Sequence, residues 1–222
     1  MNSFRIFISS PGDVVEEREK TKQVIAALQG EMGSEVSLVP VLWEDFPIPA
    51  TASFQEGIDL VLAEQHRVDI AVFILWSRLG SPLGAVITKQ DGSSYRSGTE
   101  REFDLMLAAY EQSGRKRPVM LVYTRKDDNG FNDRLDARKY GKDELFEIIE
   151  QLELVKQFIS ERFQDRDGHN IRAYHSYREP IGFAQRLQVH LRGAVTDLLG
   201  LESSITTWSE APYRSLEAFD IE

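Results

Sequence analysis

The chain has 222 residues, with 26 Lys plus Arg against 36 Asp plus Glu, a formal charge of −10, and no cysteine. The missing cysteines exclude a disulfide scaffold and a Cys-ligated zinc site. The acidic balance argues against a protein whose main task is coating nucleic acid, which needs concentrated positive charge. Hydrophobic residues at 41% and charged residues at 28% are ordinary for a folded soluble domain. The longest strongly apolar run, residues 70–76, is far too short to span a bilayer, so a cytoplasmic protein with no membrane partner is expected.

Residues 4–8 read as a first buried strand, ending at Ser9-Ser10-Pro11-Gly12-Asp13. Ser10 as N-cap with Pro11 at the first helical position predicts a helix to about Leu28, with Val14, Thr21, Val24, Ile25 and Leu28 as its inward stripe. A second strand is expected over 36–42, followed by a proline-stiffened loop, 43–49, and a helix over 53–65. Residues 69–75 form the most apolar strand and are expected at the sheet centre.

Next comes a loop of about twenty residues reaching Ser97, a length that usually carries function. A helix over 98–112 and a strand over 118–123 follow, then a charged surface loop, 125–142, and a long amphipathic helix, 143–163. An edge strand within 171–177 and a closing helix over 180–199 complete the pattern. Alternating strands and helices predict an α/β domain over 1–201, a parallel sheet of about five strands with helices on both faces.

Ligands of such sheets bind beyond the carboxyl ends of the strands. Ser9, Ser10, Trp43, Trp76, Ser77 and Ser97 all fall there, as does the helix start Ser97-Gly98-Thr99-Glu100-Arg101-Glu102. Phe103, Met106, Leu107 and Tyr110 make the inward stripe of that helix. Glu102 sits at the edge of the stripe, whereas Glu100 is expected on the polar face with Asp104 and Glu111. Thr99 with Glu102, or Ser97 with Glu100, equally fits a capping box that needs no function. Trp43 and Trp76 are candidates for stacking on a planar ring, or for simply capping the core. Ser9 and Ser10 are candidates for an anion site at the first helix, with Ser10 as a plain N-cap the alternative. The four histidines have no metal-ligand spacing and are read as surface or satisfied core residues, and the chain has neither a Walker loop nor a Rossmann fingerprint.

Residues 4–18, FRIFISSPGDVVEER, resemble the opening of a TIR-like domain of unknown function found at the N-terminus of many large bacterial proteins. Residues 43–47, 69–80 and 97–109 are similar to its later motifs in the same order. The segment from Ser97 to Glu102 also resembles the Gly-Thr-x-x-Glu motif of nucleoside deoxyribosyltransferases, which share this flavodoxin-like architecture. There the glutamate is the nucleophile at the sugar C1′, and a glutamate on the corresponding helix of TIR-domain NAD hydrolases serves similar cleavage. Both resemblances imply Glu102 as the catalytic residue, with Ser9, Ser10, Trp43, Trp76, Ser77 and Ser97 against substrate, NAD or a related nucleotide as that substrate, and no cofactor.

Residues 211–220 resemble the stretch that leads into the NTPase module of bacterial STAND proteins. The expectation is therefore an effector domain in antiphage defence, with 202–222 a connector toward that module and self-association through it. A non-enzymatic interaction module and a nucleoside or nucleotide transferase are the competing expectations.

Overall fold

A computed structural model describes residues 2–42, 68–83, 87–89, 91–136 and 138–200. Trp43, the proline loop, the helix expected over 53–65 and the connector 202–222 lie outside the described residues. Among the described residues no helix is long and apolar enough to cross a membrane.

Five strands among the described residues form one all-parallel sheet in the order β2-β1-β3-β4-β5. They are β1 (Asn2–Ser9), β2 (Val36–Val41), β3 (Ile70–Leu75), β4 (Val119–Arg125) and β5 (His175–Tyr177). The α-helices among the described residues are α1 (Val15–Met32), α2 (Gly98–Gln112), α3 (Asp128–Arg134), α4 (Lys142–Phe163) and α5 (Pro180–Leu198). This is an α/β fold consistent with the flavodoxin-like class.

Strand alternation sorts the core into two layers. Ile6 and Ile8 of β1, with Ile70, Val72 and Ile74 of β3, pack against Ile25 and Leu28 of α1 and Phe183, Leu187 and Leu191 of α5. Phe7, Ala71, Phe73 and Leu75 face the other way, against Phe103 and Met106 of α2 and Val155, Phe158 and Phe163 of α4. The sequence IAVFIL has no polar face because helices cover both sides of β3, and every residue of it is buried. Ile74→Val removes one methylene from this closed environment and should lower stability by about 1 kcal/mol. Urea denaturation checks this, and an unchanged midpoint would mean the layer relaxes around the gap.

Two expectations are corrected. Helix α1 begins at Val15 with Val14 as N-cap and no side-chain cap, not at Ser10. The Ser10 hydroxyl instead accepts from Arg18 Nε at 2.8 Å, and its carbonyl accepts from the same guanidinium. Arg18 thus takes up the polar groups that a helix starting at Ser10 would have used. The segment 125–142 is also not a plain loop. Arg125 ends β4, and the Asp127 carboxylate caps α3 by accepting from Gly130 N–H at 2.9 Å.

The expected inward stripe of α1 is buried throughout, and Glu17 shares it. That carboxylate is held by Tyr177 Oη at 3.1 Å and Arg125 Nη1 at 3.2 Å. Its position three residues after Val14 and four before Thr21 was the available signal.

Candidate active site at the β1–β3 crevice

The chain passes from β1 outward to β2 and returns to β3 on the other side, so the crevice between β1 and β3 is the topological switch point of the sheet. Ser9 is the last residue of β1 and follows Phe7 onto the α2 face. Helix α2 starts at the same end of the sheet, because it returns the chain from the end of β3 to the start of β4.

The rotation of α2 is set by Phe103, which meets Phe73 edge-on at 5.4 Å and Phe158 at 5.2 Å. With Phe103 fixed over the sheet, Glu102 one position earlier turns toward the end of β1. Its Oε2 accepts from Ser9 Oγ at 2.5 Å, a contact across 93 residues of sequence. Ser9 and Glu102 are both buried, at 1% and 6% exposure. Burial pushes the Glu102 carboxyl up to about 7, with the Ser9 hydrogen bond and the Arg101 charge pulling only partly against it. A carboxyl poised there exchanges its proton near neutrality and can act as nucleophile, charge stabiliser or base.

Glu100, expected on the polar face, is fully buried. The cations of its neighbours explain why. Its Oε1 accepts from Lys89 Nζ at 2.9 Å and Arg96 Nη2 at 2.8 Å, and Arg162 of α4 lies at 3.6 Å. Burial by itself would raise the Glu100 carboxyl, but the hydrogen bonds from Arg96 and Lys89 outweigh it and hold the group at about 2.

The capping question also resolves in favour of Ser97 and Glu100. Ser97 is the N-cap of α2, its hydroxyl accepting from Glu100 N–H at 3.1 Å, while the Glu100 carboxylate reaches back to Arg96 N–H at 2.7 Å. Glu102 is thereby free of capping duty. Ser97→Ala should cost about 1 kcal/mol of stability, read as a lower unfolding midpoint. No loss would show that water replaces the cap.

Residues 5–190 match the model of a domain of unknown function, DUF4062. The chain belongs to this family. No curated protein and no solved structure matches it.

In this DUF4062 domain the other expected site residues are distributed unevenly. Trp76 packs against the α1–α5 layer, on the opposite face from Glu102. Arg125 and Arg134 stand over its ring at 4.2 and 5.1 Å. Ser77 is fully buried, donating from Oγ and from its N–H to Asp13 Oδ2 at 2.9 and 2.8 Å. Ser10 faces Arg18. Of the described candidates, Ser9 alone is brought into contact with Glu102, while Ser97 sits at the N-cap of the same helix.

The loop after β3 lies tight against α2 and α4. Gly80 has φ +117°, a backbone conformation strained for any other residue, and a Cβ there would stand 3.0 Å from Thr99 Oγ1, which would have to give way. Gly98 N–H bonds Ser81 O at 3.2 Å, and Leu79 N–H bonds Gln151 Oε1 at 3.1 Å.

His175 and His190 are half-buried, their rings 4.3 Å apart. His190 Nδ1 pairs with Tyr123 Oη at 2.8 Å. Burial, helped by His175 and Arg186, holds His190 down at about 4, which keeps it a neutral core residue near pH 7. Asp165, Asp167 and His169 are exposed and cluster within 4.8 Å. Asp165 Oδ1 accepts from the N–H groups of Asp167 and His169, the hydrogen bonding of an ordinary Asx turn.

Proposed function

We propose that this chain is a TIR-like effector domain of a bacterial STAND NTPase, acting in antiphage defence, that hydrolyses the N-glycosidic bond of NAD or a related nucleotide when oligomerised. Glu102 is the catalytic carboxylate. The observation that carries this reading is a buried glutamate, raised to about 7 and held by Ser9, at the switch point of a parallel sheet. The resemblance of residues 211–220 to a STAND connector supports the fused module.

In the proposed reaction the bond between ribose C1′ and the nicotinamide nitrogen breaks, and its electron pair neutralises the pyridinium. The sugar develops oxocarbenium character, which the Glu102 carboxylate stabilises or captures. Water then adds its oxygen to C1′, displacing the Glu102 oxygen where it has bonded there, and releases a proton to solvent, giving nicotinamide, ADP-ribose and the free carboxylate. Because the leaving base departs neutral, the ionised form of Glu102 is the active one. Ser9 orients Oε2 by its hydrogen bond.

The low exposure of Glu102, together with Phe146 and Ile149 exposed at 60% and 43% on α4, favours a second reading, a non-enzymatic interaction module. One assay separates the two. The protein is clustered artificially and incubated with NAD, and nicotinamide release is followed beside Glu102→Gln. Release by the wild type alone is expected. Equal inertness of the two clustered proteins would overturn the enzyme reading, and undiminished release by the variant would overturn the role of Glu102. Base exchange with an added second base would mark a transferase.

A further inference from the structure

We propose that a second site, independent of Glu102, binds the phosphorylated ribose of a nucleoside monophosphate in the cavity between the loop after β3 and α4. The cavity measures about 260 Å³ and lies one strand along from the switch point. Arg78 enters it from the end of β3, Arg134 from the end of α3 beyond β4, and Gln151 from α4. It is small beside the roughly 300–1,000 Å³ of drug-sized ligand sites, a size that suits a mononucleotide.

Three donor side chains, Arg78, Arg134 and Gln151, line it together. Arg134 is fixed before any ligand arrives: Nη1 donates to Ser77 Oγ at 3.0 Å, Asp13 lies at 3.6 Å, and the guanidinium stands over Trp76 at 5.1 Å. A fork already immobilised loses little entropy when an anion binds. Arg78 has only Glu147 as an ion-pair partner among the described residues, and at 3.8 Å that is beyond hydrogen-bond length. Gln151 is buried, and its carboxamide oxygen is committed to Leu79 N–H. That orientation leaves the NH₂ group, with no hydrogen bond to another described residue, as a third donor.

The remaining lining argues against a bare anion. Glu144 and Glu147, with Asp13 beside Arg134, outnumber the two arginines, so a free polyanion gains no favourable net field there. Glu144 spends Oε2 on Gly141 N–H at 2.8 Å, and its other oxygen and the Glu147 carboxylate are acceptors for hydroxyl groups. Two carboxylates beside two guanidinium groups match a ligand that carries one phosphate and a vicinal diol. Tyr140 and Ile148 add the flat apolar surface that a base would cover.

The test is calorimetric titration of the full chain with AMP, adenosine, ribose 5-phosphate and inorganic phosphate, with thermal unfolding as the check that each variant is folded. AMP should bind at least tenfold more tightly than adenosine or phosphate. Arg78→Gln should weaken AMP and ribose 5-phosphate at least tenfold without changing adenosine. Glu147→Gln should weaken AMP and ribose 5-phosphate relative to phosphate, whose own binding it should strengthen by releasing Arg78. Glu102→Gln should leave AMP binding intact, so this result stands or falls separately from nucleotide cleavage. No saturable AMP binding, phosphate binding as tight as AMP, or AMP binding indifferent to Arg78→Gln would each overturn the proposal. Loss of AMP binding in Glu102→Gln would overturn it as well, by moving the ligand to the β1–β3 crevice.

Discussion

Glu102→Gln should slow nicotinamide release by clustered protein about a hundred- to a thousandfold, the scale of losing one preorganised charge stabiliser, and should at the same time make the fold more stable. The second effect follows from linkage. The carboxyl is raised from 4.5 unfolded to about 7 folded, so between those values the folded state binds more protons than the unfolded chain. The stability contributed by the protonated group is fully present below pH 4.5 and is lost as pH rises through about 7. At 1.36 kcal/mol per pH unit the loss is about 3 kcal/mol.

Glutamine keeps the shape and never ionises, so the two proteins should be similar at pH 4 and diverge above it, with the full difference reached a little above pH 7. Urea denaturation of both from pH 4 to pH 9 measures this without any substrate. Parallel curves would show that water reaches the carboxylate, and the case for a stored, destabilised charge would fall. On the activity side, kcat/KM of the wild type should climb through about pH 7 as the carboxylate forms. A profile that falls there would make the protonated acid the active species.

Glu100→Gln, two residues earlier on the same helix, should act in the opposite direction and lower stability by about 3 kcal/mol near neutral pH. Its fully buried carboxylate neutralises Lys89 and Arg96 and lies 3.6 Å from Arg162. Removing one partner of a buried ion network leaves the others uncompensated. The figure is taken at the lower end of the usual range because these cations remain 20–27% exposed and Arg96 and Arg162 keep Glu161 and Asp104 as further partners. Depressed to about 2, Glu100 contributes stability that is present above pH 4.5 and disappears as pH falls through about 2. A loss below 1 kcal/mol on urea denaturation would mean that Glu161 and Asp104 take over its role.

Much of the fold was legible because its signals are local. The apolar run at 70–75, the stripe of α1 and the span of α2 follow from periodicity, and the structure repeats them within a residue or two. Ser10 misled because Pro11 and Asp13 mimic a capping motif, whereas Arg18 competes for the same polar groups. Within 125–142, helix α3 escaped notice because seven residues of Asp, Asn, Gly, Phe and Arg show no helical period and depend on the Asp127 cap. Trp76 and Glu102 both follow strand β3, but adjacent side chains of an extended chain point to opposite faces, and Trp76 left on the side away from α2.

The sequence alone determined that Glu102 borders the apolar stripe of α2, since one turn of helix and the apolar positions Phe103 and Met106 decide it, but it put Glu100 on the polar face, where the structure buries that carboxylate as well. It also determined the layered α/β arrangement. Only the tertiary structure decided how the two glutamates are charged. Glu100 meets Lys89 and Arg162, brought in from the long loop and from α4, and stays ionised. Among the described residues Glu102 is given one hydroxyl, from the end of β1, and it holds its proton up to about neutrality. Helical phase is fixed by neighbours three and four residues away, whereas the free energy of a buried charge sums over whatever distant parts of the chain are folded against it.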